Sequence, residues 1–169
     1  MKIRRAVIED AKGISIVQVD TWKTTYKNLV PDAFLNQMTY ESREPIWKDI
    51  ISTQSVYVAE TNDKQIIGYS NGGKEKSGKY PEYLGELYGI YILKAYQKKG
   101  LGRELLKAVV KDLLANDIRS MTVMVFEENQ SQLFYKALGG VKIDKDELEI
   151  SEEKLKVVVY GWKDIRTFI

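Results

Sequence analysis

The feature that most constrains this chain is a change of character along residues 83–114. Residues 83–93 are a run of aromatic and branched side chains that reads as a strand, and it ends in the polar stretch Gln97-Lys98-Lys99-Gly100-Leu101-Gly102. From Gly102 onward Leu105, Leu106, Val109, Val110, Leu113 and Leu114 form one helical stripe, with Arg103, Lys107, Lys111 and Asp112 facing water. A helix N-terminus exposes unpaired N–H groups and carries positive partial charge, so a loop that lets an anion reach those amides makes a phosphate site. Gly100 and Gly102 supply room for that approach, and Lys98, Lys99 and Arg103 add charge around it.

The remaining chain reads as alternating short elements. A strand over residues 2–5 precedes a helix from about Asp10, on which Ile14, Val17, Gln18 and Thr21 recur at helical spacing and Trp22 and Tyr26 extend the same face. A second helix is expected over residues 42–51, burying Ile46, Trp47 and Ile50. Residues 56–59 and 66–70 read as a hairpin turning at Asn62-Asp63, and residues 72–79 as a loop. Residues 121–126 are an apolar strand, residues 131–138 a short helix closed by Gly139-Gly140, and residues 154–162 a last strand partnered by residues 141–143. No repeat or low-complexity linker divides the 169 residues, so one domain over 1–169 is expected, of mixed α/β or α+β class with a partly antiparallel sheet.

Two zeros narrow the chemistry. The chain has no cysteine and no histidine, which excludes disulfides, thiolate or imidazole metal sites, a cysteine nucleophile and a Ser-His-Asp triad. Acid–base work falls to carboxylate, lysine and the eleven tyrosines, and no metal is expected. A net charge of +2 argues against a dedicated nucleic-acid binder. Without an apolar leader or spanning stretch, no membrane association and a cytoplasmic location are expected, and the glycosylation-like Asn129-Gln130-Ser131 carries no weight.

Three phosphate-binding loops compete for the glycine motif. The dinucleotide pattern needs a third glycine where Leu105 stands, and Gly73 to Lys79 nearly spells a nucleotide-triphosphate loop but has Tyr80 where Ser or Thr should bind magnesium. The third pattern is Q/R-x-x-G-x-G/A, matched by residues 97–102 between strand and helix. Here the sequence resembles the GNAT superfamily of N-acetyltransferases, which use this loop for the pyrophosphate of acetyl-CoA. Asn129, Tyr135 and Gly139 match the family's next signature, and Glu86-Leu87-Tyr88-Gly89-Ile90-Tyr91-Ile92 resembles its pantetheine-pairing strand. The element order agrees over essentially the whole chain; the departures are Gln97 for the commoner Arg, and Gly139-Gly140-Val141 for the usual Gly-Phe.

The resemblance implies a GNAT fold, a single mixed, mostly antiparallel twisted sheet flanked by helices with a central β-α-β acetyl-CoA unit. It implies an acetyl-CoA-dependent acyltransferase acting on a primary amine, in a polyamine, aminoglycoside, amino acid or peptide. The cofactor-binding residues would be Ile90, Tyr91, Ile92, Gln97, Lys98, Lys99, Gly100, Leu101, Gly102, Arg103 and Asn129. Without a cysteine to carry the acetyl group, transfer is expected to be direct, in a ternary complex.

Glu86, set among Leu84, Leu87 and Ile90, is the candidate base, because desolvation raises a carboxylate pKa; a strand-end glutamate paired with a surface lysine is the alternative. Tyr135 is the candidate acid by resemblance, against a core tyrosine with its hydroxyl at the rim. Trp22, Tyr26 and Glu86 are the candidate acceptor residues, although aromatics at this spacing also serve as core or dimer contacts. Glu127 and Glu128 are candidates to attract a cationic amine or, alternatively, a solvated charge pair. A homodimer touching Phe168 and Ile169 is expected from family habit. A catalytically silent CoA-binding module is the alternative function.

Overall fold

Side-chain alternation along each strand decides which helices cover which face of the sheet. The computed structural model describes residues 1–168, so the contact expected of Ile169 lies outside the described residues. The strands are β1 (Lys2–Arg5), β2 (Val56–Glu60), β3 (Ile66–Lys74), β4 (Gly85–Ile92), β5 (Met121–Phe126), β6 (Val141–Ile150) and β7 (Glu153–Trp162). The helices are α1 (Ala11–Thr25), α2 (Asp32–Gln37), α3 (Tyr40–Thr53), α4 (Leu101–Ala115) and α5 (Ser131–Ala137). The strands form one sheet of order β1-β2-β3-β4-β5-β7-β6. Every neighbouring pair is antiparallel except β4 and β5, which run parallel on either side of the α4 crossover.

One face packs on α4 and α5. Leu87, Val123, Val158 and Tyr160 meet Leu106, Val109, Leu113 and Tyr135 there. The helix comes close because Gly72 has no side chain: a Cβ at that position would stand 2.6 Å from Val109 and 2.7 Å from the Glu86 carbonyl. Packing on the opposite face has two parts. Tyr69 and Val58 lie under Ile14, Val17 and Trp47 of α1 and α3, while Phe126 and Val157 lie under Val19, Tyr26 and Leu35 of α1 and α2. Arg4 fastens the sheet margin, bonding Asp10 at 2.7 Å and Glu60 at 2.7 Å.

Three sequence expectations are corrected here. Residues 72–74 are strand, because the two glycines leave the backbone free to pair while larger neighbours close over them. Ile46 is 42% exposed, since the buried face of α3 runs through Trp47 and Ile50 and turns Ile46 outward. The partner of β7 extends to Ile150, paired along its length despite mostly polar side chains on both faces. Phe168 is partly buried, its ring 5.8 Å from that of Trp162. The short helix α2, absent from the sequence reading, starts directly after Pro31, whose fixed φ suits a helix start.

Replacing the fully buried Leu106 by Ala is expected to cost about 2–5 kcal/mol in urea denaturation, through lost transfer energy and a residual cavity. Leu133→Ala, at a position 68% exposed, is expected to change stability by less than about 0.5 kcal/mol.

Candidate active site

The site begins where two neighbouring strands stop being neighbours. β4 pairs with β3 from Gly85 to Ile92, but with β5 only through Gly85–Met121, Glu86–Thr122 and Leu87–Val123. Beyond Val123, β5 stays with β7 as far as Phe126–Val157, so β4 and β5 part into a fork. The β3–β4 register shifts at the same place: Gly72 faces Leu87 and Asn71 faces Gly89, which leaves Tyr88 as an extra residue in a β-bulge. Along residues 88–92 the outward N–H and C=O groups of β4 therefore have no strand partner. Unpaired strand edges of this kind accept an extended ligand as an additional strand would be accepted.

The open edge runs directly into the basic loop. Gln97 donates from Nε2 to the Ile92 carbonyl at 2.9 Å, so its amide closes the turn after β4. Lys98 has φ 61° and Gly100 has φ 83°, left-handed conformations that turn successive N–H groups toward one side. The first intrahelical bond of α4 is Glu104 N to Gly100 O, so the amides of Leu101, Gly102 and Arg103 remain unpaired at the positive end of the helix. The Leu101 side chain is buried against Ile67 and Leu105, leaving only its backbone to the loop. Lys98, Lys99 and Arg103 are exposed around these amides.

Glu86 stands on the α1 face of the sheet. Its sequence neighbours do not surround it: Leu87 and Ile90 pack toward α4, and Leu84 is 58% exposed. The loop between β3 and β4 covers it instead, and the Lys76 N–H donates to Glu86 Oε1 at 3.0 Å. The contact with Lys76 is through its backbone, because the Lys76 ammonium lies over the Tyr88 ring, 3.8 Å from its centroid. Burial pushes the Glu86 carboxyl above the usual carboxylate range, a trend the Lys76 N–H opposes. The loop is tied to β6 by Lys79–Asp146 at 2.7 Å and by Tyr80 Oη donating to Asp144 at 2.8 Å.

Tyr135 comes from the other face. It is buried against Phe134 and Trp162, at ring-centroid distances of 5.2 and 6.0 Å. Burial first, and then the Tyr91 neighbour, raise its pKa and keep the phenol protonated. Asn129 stands in the turn before α5, its Oδ1 accepting from Ser131 N at 2.9 Å and its Nδ2 facing Tyr26 Oη at 3.5 Å.

Trp22 and Tyr26 are packed aromatics. Their rings are 4.7 Å apart, and Tyr26 lies 5.0 Å from Phe126. The buried Trp22 Nε1 has no partner among the described residues. Glu127 pairs with Lys145 at 3.6 Å, and Glu128 is exposed. The fork thus has Tyr91, Tyr135, Asn129, Trp22 and Tyr26 about it and the basic loop continuing from its β4 side, whereas Glu86 lies in the paired segment before it opens, opposite Thr122, and Glu127 and Glu128 follow directly on β5. Tyr88 and Asn71, which the sequence reading did not single out as side chains, also belong to its floor; a glycine-interrupted strand, Tyr88-Gly89-Ile90, was the available signal for a bulge.

Comparison with known proteins agrees with this geometry. Residues 22–139 match the acetyltransferase (GNAT) family. The uncharacterised N-acetyltransferase YuaI of Bacillus subtilis is 38% identical over 163 residues, covering 96% of this chain and 93% of that protein. A spermidine N(1)-acetyltransferase of Thermoplasma acidophilum is 24% identical over 150 residues, covering 85% and 89%. The fold superposes on yncA of Salmonella typhimurium, solved with its cofactor acetyl-CoA, with TM-score 0.71, 18% identity and coverage of 96% and 92%. A strand that forks open above a basic helix start, matched by this family over most of the chain and by a full-length relative, means that the chain belongs to the GNAT acetyltransferase family and is an N-acetyltransferase.

Proposed function

We propose that residues 1–169 form one domain that moves the acetyl group of acetyl-CoA directly onto a primary amine of a small molecule or peptide. The observation that carries this reading is the unpaired edge of β4 leading into the left-handed Lys98–Gly100 turn, with Glu86 on the same strand just before the opening and Tyr135 on the opposite face of the sheet. The residues fit the cosubstrate. The open backbone of Ile90, Tyr91 and Ile92 suits an extended amide-bearing arm, and the amides of residues 98–103, with the charges of Lys98, Lys99 and Arg103, suit a pyrophosphate. Gln97 holds the turn and Asn129 stands at the fork. When bound, acetyl-CoA supplies an activated acetyl thioester.

The chain's own task is proton transfer. An ammonium must lose a proton before it is nucleophilic, and Glu86, with its pKa raised by burial, is suited to take that proton near neutral pH. A departing thiolate must gain one, and Tyr135 holds a proton at the fork. These steps need neither a redox centre nor a Lewis acid, and no metal is part of the proposal. The spermidine-acetylating relative supports a small amine as acceptor. A cytoplasmic location accompanies the proposal; among the described residues no helix is long and apolar enough to cross a membrane.

The direct test is thiol release from acetyl-CoA across polyamines, aminoglycosides, amino acids and short peptides, in a protein whose lack of cysteine removes any background. Release with at least one amine is expected; silence with all of them refutes the reading. Because the base must be ionised, kcat/KM is expected to rise with pH through the elevated Glu86 pKa to a plateau. Glu86→Gln should lower that plateau by about 10²–10⁴-fold and remove the rising limb. Tyr135→Phe is expected to lower kcat by about 10- to 100-fold while leaving the acetyl-CoA KM within about twofold, read from initial rates with both substrates varied.

A further inference from the structure

Two arginines are withdrawn from solvent, and they are treated in opposite ways. Arg4, at 24% side-chain exposure, has both Asp10 and Glu60 as ion-pair partners. Arg43, also partly buried, has no carboxylate at ion-pair distance among the described residues. A guanidinium with no carboxylate beside it is left free to take the negative charge of a ligand.

Arg43 is nevertheless held in place. Its Nε donates to Gln18 Oε1 at 2.7 Å, and the same oxygen accepts from Trp47 Nε1 at 2.8 Å. Gln18 is only 8% exposed, so a buried amide fixes the inner edge of the guanidinium. The two terminal nitrogens have no acceptor among the described residues. They form the half of the group that matches an oxyanion in a two-bond fork.

The neighbourhood of that fork follows from packing and register. Trp47, which shares the Gln18 oxygen with Arg43, packs edge-on against Tyr69 on the α1 face of β3, 4.8 Å between ring centroids. Asn71 and Gly73 follow on the same face, opposite Gly89 and Glu86 of β4. Asn71 is 8% exposed, and its amide has no side-chain hydrogen bond among the described residues. The sequence Arg43, Tyr69, Asn71, Gly73–Glu86 thus lays a cation, a buried uncommitted amide and the candidate base along one sheet face. The strand rise puts Tyr69 and Gly73 about 13 Å apart, the scale of a small metabolite.

Resting on the transferase reading, we infer that the acceptor carries a carboxylate as well as its amine, and that Arg43, positioned by Gln18, binds that carboxylate and selects for it. A singly charged carboxylate balances one guanidinium, whereas a doubly charged phosphate would leave a net charge half-buried. Asn71 can donate to the same carboxylate or accept from the ammonium between the two ends. The acceptor class is therefore an amino acid whose reacting amine stands several bonds from its carboxylate, in preference to a polyamine.

The experiment measures thiol release at saturating acetyl-CoA with paired acceptors: α- and ω-amino acids, each beside the amine that lacks its carboxylate, together with spermidine. Wild-type protein is expected to favour one carboxylate-bearing member over its partner by roughly 10- to 100-fold in kcat/KM. Arg43→Gln should erase that ratio mainly through the acceptor KM, with the acetyl-CoA KM retained, and Arg43→Lys should restore part of it. A structural role alone would instead raise both KM values and lower kcat together. Release without preference for the carboxylate, or with spermidine alone, overturns the inference and leaves the transferase reading standing; no release with any acceptor overturns both. The wild-type ratio decides the matter even if the variants fold poorly.

Discussion

The structure depends on how briefly β4 and β5 stay together. Three residue pairs join them at one end, enough to keep the sheet continuous, and then the strands diverge while each remains fully engaged on its other side. An interior strand with an unsatisfied edge is costly unless something covers it. Here the opening is flanked on both faces, by Trp22 and Tyr26 of α1 on one side and Tyr135 of α5 on the other. The bulge at Tyr88 and the basic turn after Ile92 are consequences of the same divergence, since both redirect a backbone that no longer follows its neighbour.

Helix α1 links the two halves of the site through one face. Gln18, Trp22 and Tyr26 lie four residues apart, and each touches something different: Arg43 and Trp47, then the Tyr91 ring at 6.3 Å, then Asn129. A single rigid element therefore sets the spacing between the proposed acceptor-binding cation and the start of α5, which carries Tyr135. Packing around Trp22 and Tyr26 is dense, so these aromatics act as wall and support. Their burial in the cluster with Phe126 and Leu35 explains why helical spacing alone could not distinguish a pocket lining from a core.

Much of the fold was legible because its signals were local. The α4 stripe and the glycine before it marked the crossover, and residues 121–126 were a strand at the bounds expected. β6 was largely illegible because Lys142, Asp144, Lys145, Asp146, Glu147 and Glu149 leave no apolar periodicity; its length comes from pairing with β7, which is a property of the partner. The fork was illegible for a similar reason, since the number of pairs two strands keep is not written in either one. Glu86 shows how a correct direction can rest on the wrong neighbours: its pKa is raised by burial, but under a loop that polar composition had made look irrelevant, and away from the leucines beside it in sequence. Arg43 passed unnoticed because a lone arginine on an amphipathic helix ordinarily reaches water; only the tertiary contact with Gln18 sets it apart.

That loop joins a buried carboxylate to the far margin of the sheet. The bonds from Lys79 and Tyr80 to Asp146 and Asp144 are at the surface and contribute little to global stability. Their effect is positional, because they tether the segment whose Lys76 amide rests on Glu86. The cover over a carboxylate on a central strand is thus fastened to the outermost strand of the sheet, by residues about sixty positions further along the chain. Salt that loosens this exposed ion pair is expected to loosen the segment lying over a buried group.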